Sequence, residues 1–464
     1  MSLSKRAKRT RTSESLSPAW FSPPLTKREI IFGIEVPNRF NPAPNMTNER
    51  RQLMRVIGLP GAVMLGLGSI IGTGVFVSLG MGAVIAGPMV LPAIALAGLV
   101  AMANGLSSAQ LAANHPVSGG TYEYGHRWLN PTLGFVAGWM FLCAKSASAA
   151  TAALGFAWYV HPKFTLPVAL ALVAGITLLT LTGLKRSNAV NTVIISSVLL
   201  GLGAFVFMGS PALATHPERL QPLFDPTRLP NFLQAAALMF VAFTGYGRVA
   251  TLGEEVLEPL RTIPRATITT LAMSLLLYLA VTAVVLANTE TASGSIVILA
   301  DTAHQFGGST LAWAMTAGAA IALVSVLLNL VLGLSRVVLA MGRRGDLPVA
   351  TAQVHENSGV PGVATVVVGV FVAGLVCLGD PSLTWTFSAF TVLVYYALTN
   401  LCAIRLKPDE RLYPSWIAWA GLIACLSLAF FVDWHVILTG LGLIAGGFIW
   451  KMGFRKTGTT GPSL

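Results

Sequence analysis

The chain has 464 residues, of which 54% are hydrophobic and only 10% are charged, and its mean hydropathy is +0.71. A soluble domain usually carries about 25% charged residues, so this composition excludes an ordinary water-soluble protein and predicts a polytopic membrane protein. The formal net charge is +12, but the cations lie at the ends of apolar runs and in the N-terminal tail, which is typical of membrane topology rather than of nucleic-acid binding.

Residues 1–57 differ in composition from the rest of the chain. They are rich in Arg, Lys, Ser and Pro without apolar periodicity, which predicts a disordered, basic tail on the cytoplasmic side. The stretch SKRAKRTRTSES is basic and poor in acids, so an organelle transit peptide is an alternative. A further hypothesis places the natural start at Met46 instead of Met1, because sequence of functional character begins only after it.

Apolar runs long enough to cross a bilayer follow one another after residue 58. A spanning helix needs roughly 20 residues, and on that basis the sequence predicts an all-α fold with about twelve transmembrane helices. The predicted spans are 59–84, 87–114, 131–160, 164–184, 188–209, 231–258, 266–288, 310–341, 361–379, 382–404, 415–432 and 434–452.

The charges between these spans predict an orientation. Odd-numbered turns hold only Lys163, Arg219 and Arg228. Even-numbered turns hold Arg127, Lys185, Arg186, Arg261, Arg265, Arg343, Arg344, Arg405, Lys407 and Arg411. Because positively charged turns stay inside, both termini are predicted to be cytoplasmic. The compact loops favour a plasma membrane, with a bacterial inner membrane as the expected location.

Glycine interrupts the first and the sixth spans. Residues 66–76 read GLGSIIGTGVF, and residues 243–255 read FTGYGRVATLGEE. Matched interruptions in two halves are typical of inverted-repeat transporters, in which unwound helices free backbone groups near the bilayer midplane. Freed N–H groups suit a carboxylate and freed carbonyls suit an ammonium group, so we predict a site for a zwitterion. Close packing through the Gly68–Gly72 pair is the alternative for the first span.

Four stretches resemble the amino acid–polyamine–organocation permeases. They are GLGSIIGTGVF, PVSGGTYEYGHRWLNPTLGFVAGW at 116–139, FTGYGRVATLGEEVLEPLRTIPRA at 243–266 and SRVVLAMGRRGDLP at 335–348. The resemblance covers residues 58–405 and implies a five-plus-five inverted repeat with discontinuous first and sixth helices. The implied permease domain is 58–452, with a first repeat at 59–209, a second at 231–404, additional helices over 415–452 and a cytoplasmic tail at 453–464.

The resemblance implies a secondary active transporter that moves an amino acid across the membrane by alternating access. Coupling to protons and simple exchange are both open, and a sodium-coupled symporter or a non-transporting sensor or regulatory subunit is the alternative. An enzyme is not indicated, because the sequence has no HExxH, P-loop or clustered catalytic set. No metal site or cofactor is indicated either, since the cysteines lack paired metal-ligand spacing.

The resemblance also implies substrate-binding positions at both interruptions. The amides expected at the substrate carboxylate are those of Ile71, Gly72, Thr73 and Gly74. The carbonyls expected at the substrate amine are those of Val241, Ala242 and Thr244. Phe243 and Tyr246 are candidate pocket or gate aromatics, with ordinary packing as the alternative.

Three positions bear on coupling and charge selectivity. Lys145 lies inside the third span, where a lysine is costly, and it is a candidate proton carrier; snorkelling to the interface is the alternative. Many relatives have an acidic residue at the position of Gly247, and here Gly247 is followed by Arg248. A positive charge beside the pocket disfavours cationic substrates and favours neutral or acidic ones, unless Arg248 pairs with an acid. Ser325 in the eighth span is a candidate sodium ligand, although a membrane serine usually bonds its own backbone.

Charged residues near the inner ends of the sixth and eighth spans are candidates for a gate latch. The acidic ones are Glu254, Glu255 and Glu258, and the basic ones are Arg336, Arg343 and Arg344. The alternative for the basic residues of these turns is the positive-inside bias alone. The oligomeric state is left open by the sequence.

Overall fold

The computed structural model describes residues 29–31, 34–36, 57–117, 119–183, 188–250, 256–289, 295–355 and 359–457. The chain divides into two units, Met1–Asn48 and Glu49–Leu464. In the first unit, strands β1 (Glu29–Ile31) and β2 (Ile34–Val36) pair antiparallel. Most of the segment predicted to be disordered, including Met46, lies outside the described residues, so the disorder and the alternative start stay predictions.

The second unit is built from α-helices. In chain order they are α1 (Leu59–Ile70), α2 (Leu79–Ala86), α3 (Val90–Asn114), α4 (Thr121–Trp128), α5 (Pro131–Val160), α6 (Thr165–Leu181), α7 (Asn188–Gly209), α8 (Pro211–Thr215), α9 (Leu229–Phe243), α10 (Gly247–Ala250), α11 (Pro259–Asn288), α12 (Ile298–Arg343), α13 (Gly362–Val376), α14 (Pro381–Ile404), α15 (Ser415–Ala429) and α16 (Trp434–Thr457). Helical residues occupy every predicted span, and α16 continues beyond the predicted end at 452.

Many of these helices are apolar enough to cross a membrane. Within the described residues, nine stretches meet the length and hydropathy of a span, and α13 and α15 are shorter apolar helices. One of the nine, Leu59–Asn114, contains two predicted spans. On α7, Leu200 and Phe207 are 75% and 81% exposed, which suits a surface that faces lipid. The chain is an all-α integral membrane protein; a count of twelve crossings stays a prediction.

Local sequence signals set where two central helices begin. The Asn130 side chain accepts hydrogen bonds from the amides of Thr132 and Leu133, and Pro131 occupies the first turn of α5. Asp380 caps α14 in the same way ahead of Pro381. A capping oxygen satisfies amides that the first helical turn leaves without a partner, and proline has no amide to satisfy.

Helices α5 and α14 pack together through small residues and paired hydroxyls. Ser148 and Ser388 lie 2.7 Å apart between their hydroxyl oxygens, and Thr151 and Thr384 lie 2.8 Å apart. All four side chains are buried. Small residues permit close approach of membrane helices, and a hydroxyl pair satisfies polar groups that lipid leaves unsatisfied. This pair of helices provides one wall for the site described next.

Helix α12 is interrupted near its beginning. Gly308 has φ 63° and ψ −164°, which separates a short first segment from the long remainder. A positive φ of this kind is accessible to glycine without the steric cost that a side chain brings. The predicted eighth span, 310–341, corresponds to the part of α12 that follows Gly308. The sequence therefore predicts that this span begins just after the interruption.

Candidate functional site

The first span changes conformation inside its glycine-rich stretch. Helix α1 ends before Ile71, which is extended with φ −79° and ψ 106°, and a π-helical segment over Gly74–Ser78 leads into α2. The Ile71 amide donates to the Leu67 carbonyl at 2.7 Å, but the amides of Gly72 and Thr73 have no acceptor among the described residues. Two backbone donors are therefore available to a ligand or water.

The sixth span tightens where the sequence predicts unwinding. Helix α9 ends at Phe243, Thr244–Tyr246 form a 3-10 turn, and α10 continues from Gly247. A 3-10 turn keeps local backbone hydrogen bonds, so it frees fewer carbonyls than an extended segment does. The interruption lies where it was predicted, but its conformation differs from the expected one.

The carbonyls expected to bind an amine already accept hydrogen bonds. The Thr244 hydroxyl donates to the Val241 carbonyl at 2.7 Å. The Tyr278 hydroxyl lies 3.2 Å from the Ala242 carbonyl, and the Tyr396 hydroxyl lies 3.3 Å from the Thr244 carbonyl. A carbonyl oxygen has two lone pairs, so each retains capacity for one more donor. Their assignment to a substrate amine stays a prediction.

The two interruptions contact each other directly. A Cβ atom built on Gly245 would overlap the Ser69 carbonyl, and one on Gly74 would overlap the Tyr278 hydroxyl. The same Tyr278 hydroxyl lies 2.9 Å from the Ile70 carbonyl as well as near Ala242. Tyr278, on α11, thus connects the first interruption with the sixth, and glycine is needed at both positions because of this close approach.

A cavity of about 120 Å³ lies beside these interruptions. Its wall includes backbone or side chains from α1, α3, α4, α5, α9, α10, α12 and α14. The polar lining residues are Ser69, Thr73, Ser108, Thr121, Lys145, Ser148, Thr244, Arg248, Asn329 and Arg336. The aromatic lining residues are Tyr124, Phe141, Trp385, Tyr395 and Tyr396. An apolar cavity with few convergent polar groups is the usual form of a small-molecule site.

Lys145 is buried within this cavity wall and does not reach the membrane interface. Its side chain is 7% exposed, and its ammonium nitrogen donates a hydrogen bond of 2.7 Å to the Thr244 hydroxyl. The snorkelling alternative is therefore wrong. The third span and the sixth interruption are connected through this bond, which places the only lysine among the described lining residues beside the predicted amine-binding carbonyls.

The predicted site residues divide between the cavity and its surroundings. Those that line it are Thr73, Gly74, Val241, Ala242, Thr244, Lys145 and Arg248, whereas Ile71, Gly72, Phe243, Tyr246 and Ser325 do not. Phe243 packs against the Tyr278 ring at 5.1 Å and Tyr246 against the Tyr396 ring at 5.3 Å. Both rings are buried against other aromatic rings, and a gate or pocket role for Phe243 and Tyr246 stays a prediction. Glu254 and Glu255 lie outside the described residues.

Helix α4 closes one side of the cavity and is attached to the end of α12. Arg344 donates to both carboxylate oxygens of Glu123, with a Nε–Oε1 distance of 3.0 Å. The Tyr122 hydroxyl donates to Asp346 at 2.7 Å. The Glu123 carboxylate raises the pKa of the Arg344 guanidinium, and burial together with the Asp346 hydrogen bond raises the pKa of Tyr122.

These contacts correct the predicted latch. Arg344 pairs with Glu123, and Glu258 pairs with Arg261 at 3.4 Å in its own first helical turn. Arg336 lines the cavity instead of joining the group at the end of α12. The pairing of Arg344 depends on how α4 packs, which the sequence pattern did not indicate, and a latch that involves Glu254 or Glu255 stays a prediction because both lie outside the described residues.

Sequence reasoning missed several lining residues. On α12 the positions Val326, Asn329, Gly333 and Arg336 face the cavity at helical spacing. Polar residues at this spacing in an apolar helix are a signal that sequence alone carries. Trp385 and Tyr396 on α14 carry no such signal, because aromatic residues are also common in ordinary packing.

An all-α membrane fold with two interrupted helices beside a largely apolar cavity that contains a few polar groups defines a permease-like class of protein. The family model described as amino acid permease matches residues 61–460. The chain therefore belongs to the amino acid permease family, which confirms the resemblance found in the sequence.

Three relatives illustrate the range of this similarity. An uncharacterized transporter of Mycobacterium tuberculosis is 40% identical over 398 residues, which cover 85% of this chain and 90% of that protein. The branched-chain amino acid permease BcaP of Bacillus subtilis is 28% identical over 445 residues, 88% of this chain and 95% of that protein. The methylthioribose transporter of Bacillus subtilis is 28% identical over 353 residues, 71% of this chain and 76% of that protein.

Proposed function

We propose that the protein is a secondary active transporter that moves an amino acid across the membrane by alternating access, coupled to protons or working by exchange. The observation that carries this proposal is the contact between the two interrupted spans beside one cavity. The unpaired amide of Thr73, which lines the cavity, suits a carboxylate. The family and the permease relatives support amino acids as the class of substrate.

The proposed alternating movement uses a five-plus-five inverted repeat. Support comes from the matched positions of the interruptions and from helical residues in every predicted span. In this arrangement the first and sixth helices rearrange together, because Gly245 and Ser69 are in contact. The predicted repeats at 59–209 and 231–404 and the additional helices over 415–452 remain part of this proposal.

Lys145 is the proposed proton carrier. Lys145 is the only lysine among the described residues that line the cavity. Its side-chain nitrogen donates a hydrogen bond to the Thr244 hydroxyl, beside the proposed substrate position. A change in its protonation alters the hydrogen bond to the sixth interruption, so it connects proton binding with the part of the helix that rearranges. Sodium coupling through Ser325 is the alternative; Ser325 is buried on α12 and does not line the cavity.

We also propose a bacterial inner membrane, with both termini in the cytoplasm. This proposal is supported by the excess of Arg and Lys in the even-numbered turns. Labelling of single introduced cysteines in the turns near Lys163 and Arg405 with a membrane-impermeant reagent in intact cells tests it. The native cysteines, of which Cys377 is exposed, are first replaced by serine, and then only the cysteine near Lys163 should react.

The central experiment is reconstitution of the purified full chain into liposomes. Thermal stabilisation in detergent by each of the twenty amino acids and by common polyamines identifies ligands, since a native-state ligand raises stability by mass action. Uptake and exchange of the labelled ligand are then measured across a pH and sodium series. Accumulation or exchange supports the proposal, whereas a ligand that binds and is never moved identifies a sensor and overturns it.

A further inference from the structure

The described residues that line the cavity carry unbalanced charges. Three basic residues, Lys145, Arg248 and Arg336, line it, and no Asp or Glu does so among the described residues. Arg248 also interacts with other protein groups, so its charge is left out of the argument. Lys145 and Arg336 are sufficient, because one lies buried in the wall and the other reaches the cavity from an exposed position.

The buried ammonium group lacks a counter-charge. Lys145 is held by the neutral hydroxyl of Thr244 at 2.7 Å, and no ion pair joins it to a carboxylate in the described residues. A buried amine is costly to charge unless an opposite charge is paired with it, so without a partner its neutral form is favoured. A ligand that brings a negative group into the cavity supplies the missing partner.

The three charge classes of amino acid differ in how they meet this requirement. A cationic side chain adds a second positive charge beside Lys145. A neutral amino acid brings one carboxylate, for which the amide of Thr73 in the cavity wall is a candidate donor, and leaves Lys145 uncompensated. An acidic amino acid brings a second carboxylate that lowers the electrostatic free energy of the ammonium group.

We propose that the cavity selects amino acids with a carboxylate side chain, and that Lys145 is the specificity-determining residue. Arg336 contributes by attracting anions to the cavity. This inference rests on the proposed function, since it assigns a substrate class to the same site. Electrostatic selectivity of this kind works by repelling the wrong charge as well as by attracting the right one.

The test uses the purified full chain in liposomes preloaded with an unlabelled mixture of amino acids. Uptake of labelled glutamate, aspartate, leucine and lysine is compared at equal concentration. We expect glutamate or aspartate to be taken up about tenfold or more faster than leucine. Lysine should neither enter nor compete.

Matched variants separate the charge effect from loss of folding. Arg336→Gln should raise the KM for the acidic amino acid severalfold at low salt, and Arg336→Lys should retain the wild-type KM. Arg343→Gln is the control, because Arg343 is exposed on the same helix and does not line the cavity. Lys145→Met should remove the preference for acidic over neutral amino acids, and the Arg336 variants test the proposal even if this variant fails to fold.

Each outcome has a distinct meaning. Preferred uptake of leucine or lysine by the wild type overturns the charge-class inference and leaves the proposed transport function standing. Failure to move any of the twenty amino acids overturns the proposed function and the inference with it. An unchanged KM in Arg336→Gln shows that Arg336 does not contribute to selectivity. An unchanged preference for acidic amino acids in a folded Lys145→Met protein overturns the role of Lys145.

Discussion

Gly245 in the sixth span lies against the Ser69 carbonyl of the first span so closely that a Cβ atom would overlap it. Backbone contact of this kind holds two interrupted helices at a fixed separation without a side chain between them. Any movement of one helix must therefore be followed by the other or must open this contact.

Replacing Gly245 with alanine is expected to separate the two spans. The added methyl group meets backbone, which cannot move aside as a side chain can, so the free energy of unfolding should fall by about 1–3 kcal/mol. Uptake in liposomes should be lost. The control is Gly374→Ala on α13, where a Cβ would meet nothing within 4 Å and where stability should rise by about 0.5–1 kcal/mol. Wild-type uptake by Gly245→Ala would show that the contact is not needed.

Replacing Tyr278 with phenylalanine removes the hydroxyl shared by the Ile70 and Ala242 carbonyls. The loss of a net hydrogen bond should lower the free energy of unfolding by about 0.5–1.5 kcal/mol, measured by thermal unfolding in detergent. The transport rate should also fall, because the two interruptions are no longer joined.

Tyr159→Phe is the matched control for that variant. The Tyr159 hydroxyl donates to the Phe76 carbonyl at 3.0 Å, within the π-helical segment of the first span, so this bond does not join the first interruption to the sixth. It should cost similar stability while transport is retained. Equal transport rates for the two variants would contradict a special role for Tyr278.

Replacing Lys145 with methionine is expected to abolish the pH dependence of uptake, while exchange continues without the preference for acidic amino acids. The methionine side chain has similar length and no titratable group, so the cavity keeps its volume and loses the proposed proton carrier. Uptake into liposomes is measured at several external pH values. Lys163→Met is the control, because Lys163 is exposed between α5 and α6. A folded Lys145→Met protein with the wild-type pH profile would exclude Lys145 as carrier.

Replacing Glu123 with glutamine weakens the attachment of α4 to α12. Glu123 is 13% exposed and accepts two hydrogen bonds from Arg344, so the loss should reach about 1 kcal/mol, the upper end for such pairs. Glu258→Gln breaks an exposed pair with Arg261 and should change stability very little. Both are measured by thermal unfolding at low and high salt. A larger effect for Glu258→Gln would contradict the importance of burial.

The helices and the two interruptions show which features of the fold could be predicted from the sequence. Hydropathy predicted the helices and glycine placement predicted the change at Ile71, since both depend on neighbours along the chain. The position of the sixth interruption was predicted, but its conformation was not. The carbonyls of Ala242 and Thr244 accept hydrogen bonds from Tyr278 and Tyr396, which belong to helices distant in the sequence. The family resemblance made Phe243 and Tyr246 candidate gate or pocket aromatics, and the sequence did not indicate that their rings pack against Tyr278 and Tyr396.

The sequence by itself determined the membrane class, the apolar helices, the positions of the two interruptions and the family, because apolar runs and glycines act on the chain locally. Only the tertiary structure decided that Lys145 meets Thr244, 99 residues further along the chain, and that basic residues from three helices share one cavity without a described acid. Contacts of that kind depend on which face each helix presents to the others, and helix packing sets those faces only when the whole bundle has formed.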